Sequence, residues 1–204
     1  MSSDREISRR DLLRNIGISL TLTGAGMGVV SAQGADHVHR MVQDEKAAGP
    51  YQPKCFNLHE YATLRRLAEI IVPPDEHSRG ATEAGAPEFI DLLASANDEL
   101  AAIYTGGLAW LDQQMLHRYS TTFVEARPEQ QTALLDLIAY RKNDSPELGP
   151  GIHFFTWVRN MTVDAYFTSK IGWDFLGYMG NSAMSHFSVP EEAVAYALKR
   201  SGLG

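Results

Sequence analysis

The sequence predicts an all-α protein: a single compact domain of about five to six helices, joined by long irregular loops. Apolar residues recur every three or four positions in several stretches, and cap residues or prolines mark where those stretches start. No stretch has comparable support as a strand. With 204 residues, the chain is long enough for one ordinary domain with its own core.

The first two helices are predicted by their starts and their apolar spacing. Asn57 suits an N-cap position, Glu60 completes a capping box, and Pro73 and Pro74 end the first helix. Its apolar residues are Leu58, Tyr61, Leu64, Leu67 and Ile71. The second helix starts at Pro87, because proline is favoured in a first turn, and it carries Phe89, Ile90, Leu93 and Ala96.

Three further helices follow along the chain. Asn97 caps the third, which ends near Ser120 and has the apolar face Leu100, Tyr104, Leu108, Leu111, Met115 and Tyr119. Pro128 starts the fourth, which carries Leu134, Leu135 and Ile138. The fifth, over about residues 152–169, is the most aromatic and is predicted to be the central core helix; it carries Phe154, Phe155, Trp157, Val158, Met161, Tyr166 and Phe167.

The last part of the chain divides into an irregular segment and a short helix. Residues 171–189 hold too many glycines for a helix and too many apolar side chains for a solvated loop, so we expect another surface to cover them. A final helix is predicted over residues 190–198, where Lys199 and Arg200 complement the dipole at its carboxyl end.

The first 32 residues have the features of a twin-arginine signal peptide. Its motif residues are Ser8, Arg9, Arg10, Leu12 and Leu13. Residues 16–30 carry no charge, are too short to span a bilayer comfortably and precede small residues, so we expect cleavage after Ala32. We therefore divide the chain into the signal peptide at 1–32, an extended arm or linker at 33–56, and the helical domain at 57–204.

Composition excludes several classes of function. The net charge of −7 argues against nucleic acid as a partner, and the single cysteine, Cys55, excludes an intrachain disulfide. No metal-binding histidine motif, nucleophile elbow or nucleotide loop occurs, although His37 and His39 could take up a metal adventitiously. We therefore predict no catalytic, cofactor-binding or metal-binding residue in this chain.

Two groups of residues resemble a known family. The sequence Asp-Ala-Tyr-Phe-Thr-Ser-Lys-Ile-Gly-Trp at residues 164–173, followed by Leu-Gly-Tyr-Met-Gly-Asn at 176–181, is similar to the C-terminal signature of the gluconate 2-dehydrogenase subunit 3 family. Upstream, Leu-Ala-Glu-Ile-Ile-Val-Pro at 67–73, Gly-Ala at 80–81 and Gly-Ala-Pro-Glu-Phe-Ile-Asp at 85–91 resemble the family's N-terminal pattern. The resemblance spans about residues 57–188.

This resemblance implies a small, non-catalytic helical subunit of an exported dehydrogenase complex. The large subunit of such a complex is an FAD-dependent enzyme of the glucose-methanol-choline type that acts on sugars, polyols or sugar acids. A multihaem cytochrome c, which carries haem c, commonly completes it. The resemblance also implies that this chain's signal takes the large subunit through the twin-arginine translocase and supports its maturation and stability. We therefore expect a periplasmic protein, associated with the membrane through the complex.

The expected partner surface lies in the irregular segment near the carboxyl end, because aromatic residues dominate the cores of interfaces. Its residues are Trp173, Phe175, Leu176, Tyr178 and Met179. The same aromatic residues could instead close the helical core. Two other functions stay open: a stand-alone periplasmic enzyme or ligand-binding domain that uses His153, Asp164 and Tyr166, and an assembly chaperone that leaves after export.

Overall fold

The computed structural model describes residues 32–178 and 189–201, and within these ranges the chain is α-helical with no strand. Its helices are α1 (Ala32–Ala48), α2 (Leu58–Ile71), α3 (Ala86–Ser95), α4 (Asp98–Tyr119), α5 (Pro128–Ile138), α6 (Gly149–Phe167), α7 (Lys170–Leu176) and α8 (Glu191–Ser201), with a short 3-10 helix at Arg141–Asn143 between α5 and α6. The predicted all-α class is confirmed. The signal motif and Met179 lie outside the described residues.

The helix starts follow the predicted caps. The Asn57 side chain accepts a hydrogen bond from the Glu60 backbone N–H, and the Glu60 carboxylate accepts one from the Asn57 N–H, each at 2.9 Å. Asn97 caps α4 by accepting from the Leu100 N–H at 2.9 Å, and prolines occupy the first turns of α3 and α5. Local side-chain chemistry therefore sets these boundaries.

Helix α6 is the centre of the fold, as its aromatic sequence predicts. It contacts α2, α3, α4, α5 and α7, and its buried side chains include Phe154, Phe155, Trp157, Val158, Met161 and Tyr166. Two glycines let α4 and α6 approach each other closely: Gly107 faces the Phe154 ring, and Gly151 faces the Trp110 ring. Helix α6 therefore organises the core formed by α2 to α7.

Residues 33–56 differ from the extended arm that the sequence predicts, because most of them form α1. Ala35, Val38 and Val42 lie one helical turn apart and are buried, and α1 packs against α3. The outward face of α1 is polar, so the few small inward residues gave a weak helical pattern. Only the residues after Ala48 run irregularly into α2.

Two buried carboxylates of α3 hold this N-terminal segment in place. Asp91 accepts a hydrogen bond from the Tyr51 hydroxyl at 2.7 Å. It also accepts from three successive backbone N–H groups, those of Lys54, Cys55 and Phe56, at 2.7, 3.0 and 3.1 Å. Glu88 forms an ion pair with Lys46 at 2.7 Å. Burial and the neighbouring Asp91 carboxylate raise the pKa of Tyr51 well above its usual range, so the tyrosine remains a hydrogen-bond donor.

Two other predictions need correction. Residues 171–176 are helical as part of α7, although the sequence predicts an irregular segment over 171–189. Leu58, assigned to the apolar face of the first helix, is 74% exposed, because it occupies the first position of α2 and faces away from the core. The predicted last helix is present as α8, and all its residues are exposed.

Candidate functional site

The candidate site begins at the turn that joins α6 to α7. The Ser169 hydroxyl donates to the Tyr166 carbonyl at 2.6 Å and accepts from the Gly172 N–H at 3.1 Å. Thr168 closes α6 by donating from its hydroxyl to the Asp164 carbonyl at 2.6 Å. One serine therefore satisfies the end of one helix and caps the start of the next.

Gly172 allows α7 to pack directly on the end of α6. A Cβ atom at this position would overlap the Tyr166 carbonyl and lie 2.8 Å from the Phe167 Cα atom. The glycine that argued against a helix in the sequence is thus the residue that permits this one. It sets the direction in which α7 presents its side chains.

The carboxyl end of α7 turns sharply and brings two aromatic rings together. Gly177 adopts a left-handed conformation with φ of 63°, and the Tyr178 N–H donates to the Trp173 carbonyl at 2.9 Å. This is the usual glycine-terminated ending of a helix. The Trp173 and Tyr178 rings then meet edge to face, with centroids 5.8 Å apart.

Four large apolar side chains remain exposed on α7 and directly after it. The exposed fractions are 38% for Trp173, 48% for Phe175, 59% for Leu176 and 46% for Tyr178. We call these four residues the α7 aromatic cluster. Trp173 and Tyr178 lie on one side of α7 and Phe175 on the other, and such a concentration of exposed apolar side chains is typical of an interaction site.

A groove lies on each side of the α7 aromatic cluster. The groove toward α1 has a volume of about 530 Å³, and its walls include Asp36, Arg40, Trp173 and Tyr178. The groove on the other side measures about 430 Å³ and is lined by the loop at residues 77–79 together with Phe175. Within the walls, Asp36 pairs with Arg40, and Lys170 pairs with Asp174 at 3.0 Å. Each of these two ion pairs joins residues one helical turn apart on the same helix.

His39 forms the floor of the groove beside α1. Its Nε2 atom lies 2.9 Å from the Thr168 hydroxyl oxygen, and its ring centroid lies 4.8 Å from that of Phe89. Burial lowers the pKa of His39 to about 4, against the opposing effect of Asp36. His37 and His39 stand two positions apart on α1, where side chains do not face each other, so the structure does not bring their rings together as a pair.

The residues of the stand-alone alternative do not form one site. His153 accepts a hydrogen bond from the Trp157 indole at 3.3 Å, while the Tyr166 hydroxyl contacts the Ser78 hydroxyl. His153 and Asp164 are separated by eleven residues of α6, which is about 16 Å along the helix axis. Burial raises the pKa of Asp164, but His153 lies too far away to share a reacting atom with it.

Of the predicted interface residues, Trp173, Phe175, Leu176 and Tyr178 are exposed on or just after α7; Trp173 and Tyr178 contact each other, whereas Phe175 lines the groove on the other side. The α1 wall of the adjoining groove was missed, because α1 itself was not predicted. Among the described residues, no three histidine, cysteine, aspartate or glutamate side chains form a group that could hold a metal ion. None of the helices in the described ranges is long and apolar enough to cross a membrane.

Comparison with known proteins identifies the family of the chain. The model of the family described as gluconate 2-dehydrogenase subunit 3 matches residues 58–180, which is more than half of the chain and includes α2 through α7. No curated protein and no solved structure gives a match. The family's description is that of one subunit of a dehydrogenase complex. The chain therefore belongs to the gluconate 2-dehydrogenase subunit 3 family.

Proposed function

We propose that this chain is the non-catalytic accessory subunit of an exported FAD-dependent dehydrogenase of the glucose-methanol-choline type. The large subunit binds FAD and oxidises a sugar, polyol or sugar acid, and a multihaem cytochrome c accepts the electrons. The small subunit supports twin-arginine export, maturation and stability of the large one. Family membership supports the role of a complex subunit, and the motif around Arg9 and Arg10 supports export.

The observation that carries this proposal is the exposed α7 aromatic cluster. Interface cores are enriched in aromatic side chains, and buried tryptophan and tyrosine contribute much of the binding energy. Trp173 and Tyr178 already contact each other edge to face, so they present one continuous apolar surface. Burial of this surface by the large subunit removes it from water.

The cluster is also held in place before any partner binds. Ser169 bonds both helices at the α6–α7 turn, and Gly172 packs against the α6 backbone. A preformed surface loses less conformational entropy on binding than a flexible one. We therefore place the centre of the subunit interface at α7, with the two grooves at its rim.

The proposal assigns all redox chemistry to the partners. The purified small subunit should therefore bind no flavin and oxidise no sugar. Flavin absorbance in the isolated chain, or turnover by it with an artificial electron acceptor, would contradict the proposal and favour the stand-alone alternative.

The main test is recovery of the complex. The chain, tagged at its C-terminus, is isolated from the periplasm and membranes of its native host, and the co-purifying proteins are identified. A flavoprotein of dehydrogenase size supports the proposal, and recovery after export excludes a chaperone that leaves. A homogeneous lone protein contradicts it.

The export role has a separate test. Replacement of both Arg9 and Arg10 by lysine should retain the small and the large subunit together in the cytoplasm, because the large subunit depends on this signal. Arg14→Lys, a matched change outside the arginine pair, should leave export intact. Export of the large subunit by itself in the double variant contradicts the role.

A further inference from the structure

We infer that Arg79 binds a carboxylate of the large subunit in the groove beside Phe175. The inference rests on the proposed function and deepens it, because it names the chemistry of the partner at one edge of the α7 aromatic cluster. The groove measures about 430 Å³ and is lined by both Arg79 and Phe175. A partner segment in this groove therefore meets a guanidinium and an exposed aromatic ring together.

The loop that carries Arg79 is held against α6. The Asp75 carboxylate accepts hydrogen bonds from the backbone N–H groups of His77 and Ser78 at 2.8 and 2.7 Å. The Ser78 hydroxyl in turn contacts the Tyr166 hydroxyl of α6. Because α6 leads directly into α7, the same helix positions both the loop and the aromatic cluster.

The groove carries positive charge that its own residues leave unpaired. Lys170 pairs with Asp174 at 3.0 Å, and the His77 ring lies 3.5 Å from the Glu76 carboxylate. The Arg79 side chain is exposed, and no carboxylate among the residues that the structure describes forms an ion pair with it. The chain as a whole has a net charge of −7, so this groove differs in sign from the rest of the molecule. The group that complements it is an anion.

The surroundings favour a protein carboxylate over the phosphates of a membrane surface. The planar guanidinium of arginine matches a carboxylate with two parallel hydrogen bonds, and arginine is enriched with aromatic residues in interface cores. Anionic membranes instead attract clusters of about four to eight basic residues. This groove holds Arg79 and Lys170, and Lys170 is already paired. We therefore expect an Asp or Glu of the large subunit, next to an apolar side chain that covers Phe175.

The test uses the full chain, tagged at its C-terminus and recovered from its native host, and measures how much large subunit accompanies it. Arg79→Glu should lower that recovery by a factor of about ten, because it places two carboxylates in one groove. Arg79→Lys should keep about half of the recovery, since it retains the charge but not the planar fork. Arg159→Glu, the same charge reversal at an exposed arginine of α6, is the control and should recover as much as the unchanged chain.

The isolated variants should unfold at the same temperature as the unchanged chain, because both arginines are exposed. Equal recovery with Arg79→Glu and Arg159→Glu overturns the inference.

Cross-linking provides a measurement that does not depend on the folding of Arg79→Glu. A carbodiimide joins an amine to a carboxylate as an amide and takes up the water that is released. In the complex of the Arg79→Lys variant, the amine at position 79 should become linked to an Asp or Glu of the large subunit, as identified by mass spectrometry of the joined peptides. A recovered complex without such a link overturns the inference.

A vesicle experiment tests the membrane alternative. The isolated chain should not sediment with vesicles made of phosphatidylcholine and phosphatidylglycerol in equal parts. Sedimentation that Arg79→Glu abolishes and Arg159→Glu does not would overturn the inference in favour of a lipid phosphate.

These outcomes separate the inference from the proposed function. An unchanged chain that recovers no flavoprotein contradicts the proposed function, and this inference with it. An unchanged chain and an Arg79→Glu variant that recover the flavoprotein equally contradict only the inference, because the complex is then intact.

Discussion

Gly107 on α4 leaves the space that the Phe154 ring of α6 occupies. A Cβ atom on Gly107 would lie no more than 2.7 Å from three atoms of that ring. Phe154 in turn contacts Tyr104 edge to face, with centroids 6.0 Å apart. A residue without a side chain therefore determines how closely the two longest helices of the described domain approach.

This relationship predicts opposite effects for two neighbouring glycines. Gly107→Ala should lower the free energy of unfolding by about 3 kcal/mol, because the methyl group forces Phe154 or the helix backbone to move. Gly106→Ala should raise it by about 0.5–1 kcal/mol, since nothing lies within 4 Å of a Cβ there and alanine favours the helix. Urea unfolding of both variants checks the pair. Similar effects at the two positions would contradict the packing.

Among the carboxylates in the N-terminal half, Asp91 should be the one whose replacement lowers stability most. Asp91→Asn replaces an acceptor of four hydrogen bonds with a group that has one acceptor oxygen, so we expect a loss of about 3 kcal/mol in stability. Asp136→Asn, on the exposed face of α5, is the control and should change stability by less than about 0.5 kcal/mol. Faster proteolysis within residues 49–57 should accompany the Asp91 change. Unchanged stability would mean that this carboxylate does not hold the segment.

The lowered pKa of His39 predicts that stability depends on pH. Its pKa is lowered from 6.5 to about 4 in the folded chain by burial, so the folded state disfavours the protonated form. Above pH 6.5, His39 is neutral in both the folded and the unfolded chain, so its burial costs no stability through protonation. As pH falls toward 4, the unfolded chain takes up the proton first, and up to about 3 kcal/mol of stability is lost.

The check compares the unchanged chain with His39→Gln, which keeps a nitrogen donor near Thr168. The variant should have a flatter profile between pH 6.5 and 4, while carboxylates that titrate in that range affect both proteins alike. Parallel profiles would show that His39 is not responsible for the loss.

The α7 aromatic cluster gives a prediction about assembly. The double change Trp173→Ser and Leu176→Ser should reduce recovery of the large subunit at least tenfold, because it removes apolar area from the centre of the proposed interface. The thermal midpoint of the isolated small subunit should change little, since both side chains are exposed. Leu116→Ser, on α4 and 52% exposed, is the control and should leave recovery unchanged. Equal recovery with all three proteins would place the interface elsewhere.

Local signals predicted a large part of the fold. The caps at Asn57 and Asn97 and the prolines that start α3 and α5 act within a few residues, so the sequence shows them directly. The aromatic pattern of α6 likewise identified the central helix, because a helix apolar on most sides must be surrounded.

The missed features depend on distant residues. Helix α1 has few inward apolar side chains, and its position is decided by contacts with α3. Gly172 lowers helix propensity locally, yet its closeness to the Tyr166 carbonyl makes α7 possible. Asp91 looks like an ordinary surface acid in the sequence, and its burial depends on a segment some 35 residues earlier. The groove between α1 and α7 therefore could not be predicted from the sequence, because it exists only where the two helices lie side by side in the fold.

The hydrogen bond between His39 and Thr168 also links the first described helix to the proposed partner surface. His39 follows the start of α1 by seven residues, about 10 Å along the helix, and Thr168 directly precedes the turn into α7. Helix α1 and the helix that carries most of the proposed partner surface are thus joined directly at this bond. Under the proposed function, a partner docked on α7 therefore lies beside α1, because residues of both helices line the same groove.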